Sequence, residues 1–290
     1  MGYLKRSAGS GNQKGRVQSL KGAVFLDKPK GMSSRHADES VKKMVGAKKA
    51  GDSGTLDDNT TGFLLVCLDE ATKAMPLLMG LNKEYVTTIQ LHKKVDQEKL
   101  IEAFKYFTGE VKQLPPVRSA VARKERVRMV YSIDFMGLRN VDVTLRIRCQ
   151  AGFYVRKFAH DLGQYLGCGA QMISLRRTAI GSIKDTECVK MVDLDKKKIV
   201  PIETVLRRMG AKKVFVTGTA LNNVKHGIGL MTYHIEGMDK EINEGDAVAI
   251  FHKKDVVAIG KATKGYSHYV MHRNKPKAYQ YILPDRVFNF

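Results

Sequence analysis

The segment with the clearest chemical potential is the polar loop at residues 51–62, which carries Asp57 near its middle. Glycines and hydroxyl residues surround this aspartate, and an apolar run at 63–68 follows directly. An aspartate on a loop that a rigid strand holds in place can act as a nucleophile or a base. Acids that only cap turns are also common in such loops, so the spacing alone favours a structural role for Asp57.

The elements that must position this loop show both strand and helix patterns. Apolar runs at 22–27, 63–68 and 85–92 predict strands. Ser33 and Ser34 are suited to cap a helix that follows them directly.

Two further patterns lie in the middle of the chain. Apolar and polar residues alternate strictly over 141–149, which predicts a strand with one buried face. The next segment, 153–167, changes to helical spacing, with Val155, Phe158 and Leu162 among its apolar positions. Because strands and helices are interspersed without a regular βαβ rhythm, we predict an α+β fold with a mixed, largely antiparallel sheet and flanking helices.

Changes in composition predict three parts of the chain. Residues 1–20 contain basic residues, glycines and no acid, which is typical of a flexible tail. A charged stretch and a short predicted helix separate a main domain, residues 21–205, from a small β-rich domain, residues 206–290. A hairpin-like spacing over 246–261 supports the β-rich character of the second domain.

The charge balance is the strongest feature of the composition. Lys and Arg number 50 and Asp and Glu 29, which gives a formal net charge of +21. Such an excess is tolerated best beside a polyanion, so nucleic acid is the first candidate partner. An anionic membrane surface is a weaker candidate, because no basic amphipathic helix with an exposed aromatic face is evident. A proteome biased towards lysine would produce the same balance without any function.

The sequence also argues against several other classes of protein. The apolar run at 63–68 is far shorter than the ~20 residues that a membrane helix needs, and residues 1–20 do not resemble a secretory signal. We therefore expect a soluble, intracellular protein without a membrane partner. The four cysteines show no C-x-x-C spacing and the eight histidines no ligand spacing, so we expect neither disulfides nor a metal site.

The loop at 51–62 resembles the G-H-x-G-T-L-D-P-x-x-T-G signature of the TruB/dyskerin family of pseudouridine synthases. Five more motifs of that family occur in the family's order. They are D-K-P-x-G at 27–31, K-x-Y at 83–85, F-T-G with P-P-x-x-S-A at 107–120, A-G-x-Y-I-R at 151–156, and L-R-R-T with a following Gly at 175–181. Chance similarity does not produce six ordered motifs of this kind.

Two features resemble the archaeal and eukaryotic branch, whose members are catalytic subunits of box H/ACA ribonucleoproteins. Arg118 stands where bacterial members usually have Tyr, and the basic stretch 124–131 is similar to that of the same branch. Segments 214–217 and 244–249 resemble parts of a PUA domain, a small β-barrel-like RNA-binding module. The archaeal architecture fits better than the eukaryotic one. It implies a cytoplasmic location, whereas a eukaryotic member would be nucleolar.

The resemblance implies a role for each residue at a matching motif position. Asp57 corresponds to the catalytic aspartate and Arg156 to the arginine that pairs with it, although an ordinary surface arginine would look the same. Tyr85 corresponds to the tyrosine that stacks on the target base, and Leu175 to the apolar wall of the pocket. Both residue types are also common in cores. Lys28 would contact the pocket or an RNA phosphate, or remain a solvated loop charge.

RNA binding, by the same resemblance, is spread over both predicted domains. Its candidate residues are Arg118, Arg126, Arg128, Lys225 and His226. The implied partners are a box H/ACA guide RNA, an rRNA or tRNA substrate and the small accessory proteins of the ribonucleoprotein. The implied reaction breaks the N1–C1′ bond of a flipped-out uridine, turns the base and rejoins it through C5, which needs no cofactor. Attack of the carboxylate at C1′ and attack at C6 both remain open.

Two other functions also remain open. A guide-independent enzyme acting on the T-loop of tRNA would use the same chemistry, and a non-catalytic RNA-binding or assembly protein would keep the motifs without activity. The loop departs from the family pattern at Asp52, where His is usual, and at Asp58, where Pro is usual. These acids place like charge beside Asp57. We therefore expect retained but altered activity, which Asp52→His should raise.

Overall fold

The computed structural model describes residues 20–114 and 124–289; Arg118 and residues 1–19 of the predicted tail lie outside them. The helices within the described residues are α1 (Ser34–Val45), α2 (Met75–Met79), α3 (Gln97–Tyr106), α4 (Val155–Tyr165), α5 (Ile202–Arg208), α6 (Leu221–Lys225) and α7 (Tyr266–His272). The strands are β1 (Lys21–Lys28), β2 (Ala50–Asp52), β3 (Thr61–Asp69), β4 (Lys83–Leu91), β5 (Gly109–Gln113), β6 (Arg126–Arg139), β7 (Asp142–Cys149), β8 (Ala170–Ile180), β9 (Ile183–Lys184), β10 (Val189–Lys190), β11 (Val200–Pro201), β12 (Lys213–Val216), β13 (Leu230–Met231), β14 (Ile235–Met238), β15 (Ala247–His252), β16 (Asp255–Ala262) and β17 (Gln280–Val287).

Eleven of these strands form one large sheet. Its main order is β10–β1–β3–β8–β4–β7–β6–β5, with β11 paired to β1, β2 to β3 and β9 to β8. The pairs β1–β10 and β3–β8 are parallel, and the other pairs in this sheet are antiparallel. The predicted α+β fold with a mixed, largely antiparallel sheet and flanking helices is therefore confirmed.

Strand β3 is buried on both faces, which explains its unbroken apolar run. Its two faces contribute to separate cores: Phe63, Leu65 and Cys67 to one, and Leu64, Val66 and Leu68 to the other. The first core also contains residues of α2 and α5, and the second contains the apolar face of α1. Because helices cover both faces, β3 is a rigid base for the loop that precedes it.

Helix α1 begins where the two serines predict. Ser33 is its N-cap, and the side-chain oxygen of Ser33 accepts a hydrogen bond from the backbone N–H of His36 at 3.1 Å. The helix ends at Gly46, which adopts the left-handed conformation with a φ of 70°. No helix in the described part of the chain is long and apolar enough to cross a membrane.

The alternation predicted over 141–149 appears as β7. Val143, Leu145, Ile147 and Cys149 are buried in a third core. This core lies beneath α3 and α4, and α4 contributes the apolar positions that the helical spacing predicts. The predicted helix at 153–167 is confirmed, with its observed ends two residues inside the predicted ones.

A second sheet of six strands has the order β13–β17–β16–β15–β12–β14. Its two outermost strands, β13 and β14, are separated by residues 232–234 alone, so the sheet curls until its edges approach and becomes barrel-like. Phe251 and Phe288 of this region are buried in the same core as α2 and α5. The two sheets therefore share buried apolar surface, and the domain boundary predicted at 205/206 falls within α5.

Gly62 allows the close approach of β3 to β8. Its φ is +96°, a region that side chains of L residues rarely adopt. A Cβ at this position would lie 2.3 Å from the carbonyl oxygen of Arg177, its partner in the parallel pair. Such an atom would force the two strands apart.

We predict that Gly62→Ala lowers the free energy of unfolding by at least about 2 kcal/mol, because it adds a backbone clash to an unfavourable φ. Urea titration followed by circular dichroism measures this change. Gly137→Ala in β6 is the matched control, since a Cβ there would have no atom within 4 Å. Equal stability of the two variants would contradict the packing described for Gly62.

Candidate active site

Asp57 lies on the exposed loop between β2 and β3, and its side chain is 60% accessible. Both sides of this loop are tied down by backbone hydrogen bonds. The N–H of Ser53 donates to the carbonyl of Leu65 at 3.0 Å. The N–H of Thr60 donates to the carbonyl of Asp57 at 2.9 Å. The loop is therefore exposed at its side chains but anchored through its backbone. We call residues 53–60 the active loop.

The hydroxyl of Ser34 fixes the residue that precedes Asp57. Ser34 is buried in the first turn of α1, and its Oγ accepts from the N–H of Leu56 at 2.8 Å. The same oxygen lies 2.9 Å from the carbonyl of Leu56, to which it donates. Leu56 itself is buried in the core beneath α1. One side chain thus satisfies both polar backbone groups of Leu56, which restricts the position of Asp57.

Lys28 lies beneath the active loop and is fully buried. Its Nζ donates to the carbonyls of Pro29 at 3.0 Å, Met32 at 2.5 Å and Asp58 at 3.3 Å. The N–H of Gly31 also donates to the carbonyl of Asp58, at 2.8 Å. Burial lowers the pKa of Lys28, and the carboxylates of Asp58 and Asp57 oppose that shift. Lys28 thus joins the turn after β1 to the active loop, and its contact with substrate stays a prediction.

Arg156 reaches Asp57 from the first turn of α4. Its Nη2 donates to Oδ2 of Asp57, although the two residues are 99 positions apart in sequence. Their side chains are 57% and 60% accessible, so the ion pair adds little to the stability of the fold. The ion pair instead orients the carboxylate of Asp57, because a guanidinium approaches a carboxylate in a restricted geometry. The pair presents a carboxylate that an external ligand can reach.

Tyr85 and Leu175 lie on adjacent strands. Tyr85 of β4 is opposite Arg177 of β8, and two positions along β4, Thr87 is opposite Leu175. Both side chains are half-buried, and Tyr85 packs against the core that contains Leu56. Burial raises the pKa of the Tyr85 hydroxyl, with the nearby Arg177 cation opposing the shift. The structure therefore places a neutral phenol beside the core that supports the active loop.

Arg177 connects the active loop to the sheet, a role that sequence reasoning missed. Its side chain is 2% exposed. Its Nε donates to the carbonyl of Phe63 in β3 at 2.7 Å, and its Nη2 donates to the carbonyl of Gly54 in the active loop at 2.8 Å. In the sequence, this role is indicated only by the presence of a second arginine in the L-R-R-T motif, for which a surface position offers no explanation.

Lys83 lies beside Arg177 and was also missed. It is buried, and its Nζ donates to the carbonyls of Met79 and Leu81, each at 2.7 Å. Burial, followed by the charge of Arg177, lowers the pKa of Lys83 to about 7. A Cβ on Gly54 would lie 3.5 Å from Arg177 and 3.9 Å from Lys83, so both side chains lie directly beneath the active loop.

The predicted RNA contacts occupy two separate places. Arg126 and Arg128 lie on β6, and Arg128 packs against Gly152, where a Cβ would meet its Nε at 3.0 Å. This contact places Arg128 at the turn that leads into α4. Lys225 and His226 are exposed at the end of α6, beside the second sheet. Their contacts with RNA remain predictions, as does that of Arg118 outside the described residues.

We predict that Arg177→Met lowers the free energy of unfolding by about 3 kcal/mol, because it leaves two buried carbonyls without donors. We expect turnover to fall about 10²-fold through displacement of the active loop. Chemical denaturation and a single-turnover assay measure the two effects. Arg148→Met is the control for stability, since its side chain is 66% exposed. An unchanged unfolding free energy in Arg177→Met would show that the buried guanidinium does not hold the loop.

Comparison with known proteins identifies the family of this chain. Residues 42–155 match the family model described as TruB family pseudouridylate synthase, N-terminal domain, and residues 156–210 match the tRNA pseudouridylate synthase B C-terminal domain. The chain is 38% identical over 258 residues to a probable tRNA pseudouridine synthase B of Methanothermobacter thermautotrophicus, covering 83% of this chain and 79% of the relative. A protein of the same description from Methanopyrus kandleri is 39% identical over 257 residues, which is 84% of this chain and 76% of the relative.

Two solved structures are similar over nearly the whole chain. A Cbf5-Nop10-Gar1 complex matches with a TM-score of 0.85 and 34% identity, covering 93% of this chain and 85% of that one. An H/ACA RNP bound to a substrate RNA containing 2′-deoxyuridine matches with a TM-score of 0.80 and 32% identity, covering 93% and 86%. The chain therefore belongs to the TruB family and is an RNA pseudouridine synthase.

Proposed function

We propose that this chain isomerises uridine in rRNA or tRNA with Asp57 as the nucleophile, guided by a box H/ACA RNA. The observation that carries the catalytic assignment is the contact between Asp57 and Arg156. It holds an accessible carboxylate on a loop whose backbone is anchored from below. An aspartate that only caps a turn needs neither the arginine partner nor the anchored backbone, so these features favour a catalytic role for Asp57.

The proposed reaction balances with the residues of this chain. The carboxylate of Asp57 forms a transient bond with the flipped-out uridine, and the N1–C1′ bond of the nucleotide breaks. After the base turns, C5 joins C1′ and the bond to Asp57 breaks. C5 loses its proton and N1 gains one, so no electrons leave the substrate. The reaction therefore proceeds by acid–base and covalent steps alone.

We assign the detached uracil to the surface formed by Tyr85 and Leu175. An aromatic ring and an aliphatic side chain on adjacent strands offer a flat, apolar surface to a pyrimidine. A tyrosine hydroxyl is neutral at physiological pH, and burial raises the pKa of the Tyr85 hydroxyl further. A neutral ring of this kind can stack on uracil without introducing a charge beside Asp57.

The proposed dependence on a guide RNA is supported by the extent of the similarity to solved assemblies. Each match covers 93% of this chain, including both sheets. We propose that this chain likewise works with a box H/ACA guide RNA and small accessory proteins. We further propose that residues 206–290 form the PUA module, with Lys225 and His226 exposed for contact with RNA. A net charge of +21 suits a protein that is bound to RNA for most of its working life.

Guide-independent modification of tRNA is the second candidate function. It is favoured by the description of the two relatives as probable tRNA pseudouridine synthase B. The same active loop and the same ion pair would serve both functions, because the chemistry at the uridine is identical. The two functions differ only in what positions the RNA.

We predict that Asp57→Ala abolishes pseudouridine formation, with a fall of at least about 10³-fold in single-turnover rate. Release of tritium from RNA labelled at C5 of uridine measures this rate. Asp58→Asn is the matched control: its side chain is exposed, whereas the loop uses only its backbone carbonyl. This control should retain activity. Persistent activity in Asp57→Ala would remove the nucleophile assignment.

We predict that modification of the target uridine requires the guide RNA and the accessory proteins. The assay compares bare tRNA, substrate with a matched guide, and substrate with a guide whose pairing segment is scrambled. Pseudouridine should form only with the matched guide. Full-rate modification of bare tRNA would instead establish the second candidate function, while leaving the role of Asp57 intact.

A further inference from the structure

Two aspartates meet at the start of the active loop, and the reaction does not use either of them directly. Asp38 lies in α1, and Asp52 is the last residue of β2. Oδ1 of Asp52 accepts a hydrogen bond from the N–H of Gly54 at 2.8 Å. Gly54 is also the residue whose carbonyl Arg177 binds. The side chain of Asp52 therefore helps to set the path of the active loop, which argues against the gain in activity that the family pattern predicts for Asp52→His.

The side chain of Asp38 lies close to that of Asp52 in a partly buried environment, where two negative charges would repel each other strongly. Oδ1 of Asp38 is buried and has no hydrogen-bond donor among the described residues. Asp52 lies within hydrogen-bonding reach of Asp38 through both its carboxyl and its backbone N–H, and the N–H favours the carboxylate form of Asp38. Burial, followed by the charge of Asp52, raises the pKa of Asp38 to about 7. Two carboxyl groups in contact form a hydrogen bond only when one of them carries a proton.

The other groups that face Asp38 supply no compensating cation within the described part of the chain. Glu39, its neighbour on α1, adds a further negative charge, although Glu39 itself pairs with Lys42. Cys67 faces the two aspartates from β3, and burial raises the pKa of its thiol to about 12. The thiol is therefore neutral at physiological pH. The backbone N–H of Asp52 offsets part of the repulsion, and a proton on one carboxyl removes the rest.

We propose that Asp38 and Asp52 share one proton, and that this carboxyl–carboxylate hydrogen bond fixes the start of the active loop and makes Asp38 a positioning residue for Asp57. The second oxygen of Asp52 receives the proton from Asp38, while its first oxygen stays on Gly54. Helix α1 is then bonded to the loop at two points, through Asp38 to Asp52 and through Ser34 to Leu56. These two bonds flank the segment that leads to Asp57.

The pH dependence of this bond has a definite sign. In the unfolded chain an aspartate carboxyl has a pKa of ~3.9, whereas the folded protein raises the pKa of Asp38 to about 7. The folded state therefore keeps a proton that the unfolded state loses between these values. The stability that the pair contributes is fully present below the unfolded pKa and is lost as pH rises through the folded pKa. Above that pH the two carboxylates repel each other.

The first test is the melting temperature as a function of pH. In Asp38→Asn an amide donates to Asp52 at every pH, so we expect the Tm of this variant to rise by about 3–5 °C relative to the wild type between pH 5 and pH 8. Glu39→Gln is the matched control, since it removes a carboxylate from the same helix that is paired with Lys42. The Tm of the control should run parallel to that of the wild type. If the Tm of Asp38→Asn instead changes with pH in parallel with that of the wild type, the proposal of a shared proton is overturned.

Asp52→Asn provides a second variant if Asp38→Asn does not fold. Its amide donates to Asp38, and its carbonyl oxygen can still accept from Gly54, so the same change in pH dependence is expected. A pH dependence unaltered from the wild type in this variant would also overturn the proposal. Failure of both variants to fold would overturn it too, because an amide in place of the shared proton should support the fold.

The second test is the pH profile of the single-turnover rate at 25 °C, with the folded fraction at each pH measured by circular dichroism. The wild-type rate should fall relative to that of Asp38→Asn above pH 7, while Glu39→Gln keeps the wild-type profile and activity. This arm alone rests on the proposed role of Asp57. If Asp57→Ala stays active, the proposed function fails, but the melting-temperature test still shows whether Asp38 and Asp52 share a proton. Parallel rate profiles for Asp38→Asn and the wild type would remove the positioning role of Asp38.

Discussion

A single buried guanidinium holds the active loop on the sheet. Arg177 reaches the carbonyl of Phe63 in β3 and the carbonyl of Gly54 in the active loop with one planar group. A buried carbonyl that loses its donor costs about 1–3 kcal/mol, so the loop cannot lift away without a substantial penalty. The glycine at position 62 completes this arrangement, because it lets β3 lie against the backbone of Arg177 itself.

The remaining anchors follow the same principle: side-chain donors bind backbone carbonyls and leave the side chain of Asp57 free. Lys28 binds the carbonyl of Asp58, and Ser34 binds that of Leu56, so the residues on both sides of Asp57 are held. These anchors place Lys28 and Arg177 below the loop, where burial, with a smaller contribution from the charge of Arg177, lowers the pKa of Lys28. Fixed positive charge beneath an acidic loop reduces the electrostatic cost of bringing it against RNA.

Residue patterns predicted those elements whose burial is regular. The alternation of β7 and the spacing of α4 each have one apolar face, and both were recognised. Strands β6 and β8 were not assigned, although they have 14 and 11 residues. Most of β6 is exposed or half-buried, so its residues show little alternation. In β8 the buried Arg177 interrupts the apolar pattern, and its burial depends on carbonyls of β3 and the active loop, which no local pattern reveals.

The contact at the centre of the site was accessible only through family resemblance, because 99 positions separate Asp57 from Arg156. The weak contribution of this ion pair to folding explains why no stability-based pattern in the sequence indicates it. With both side chains more than half accessible, solvent screens the attraction, and the pair contributes little to folding. Removal of water from the pair would strengthen the same attraction, because the local dielectric would be lower. The ion pair therefore orients the carboxylate of Asp57 without stabilising the fold, and the buried anchors beneath it carry the stability that it lacks.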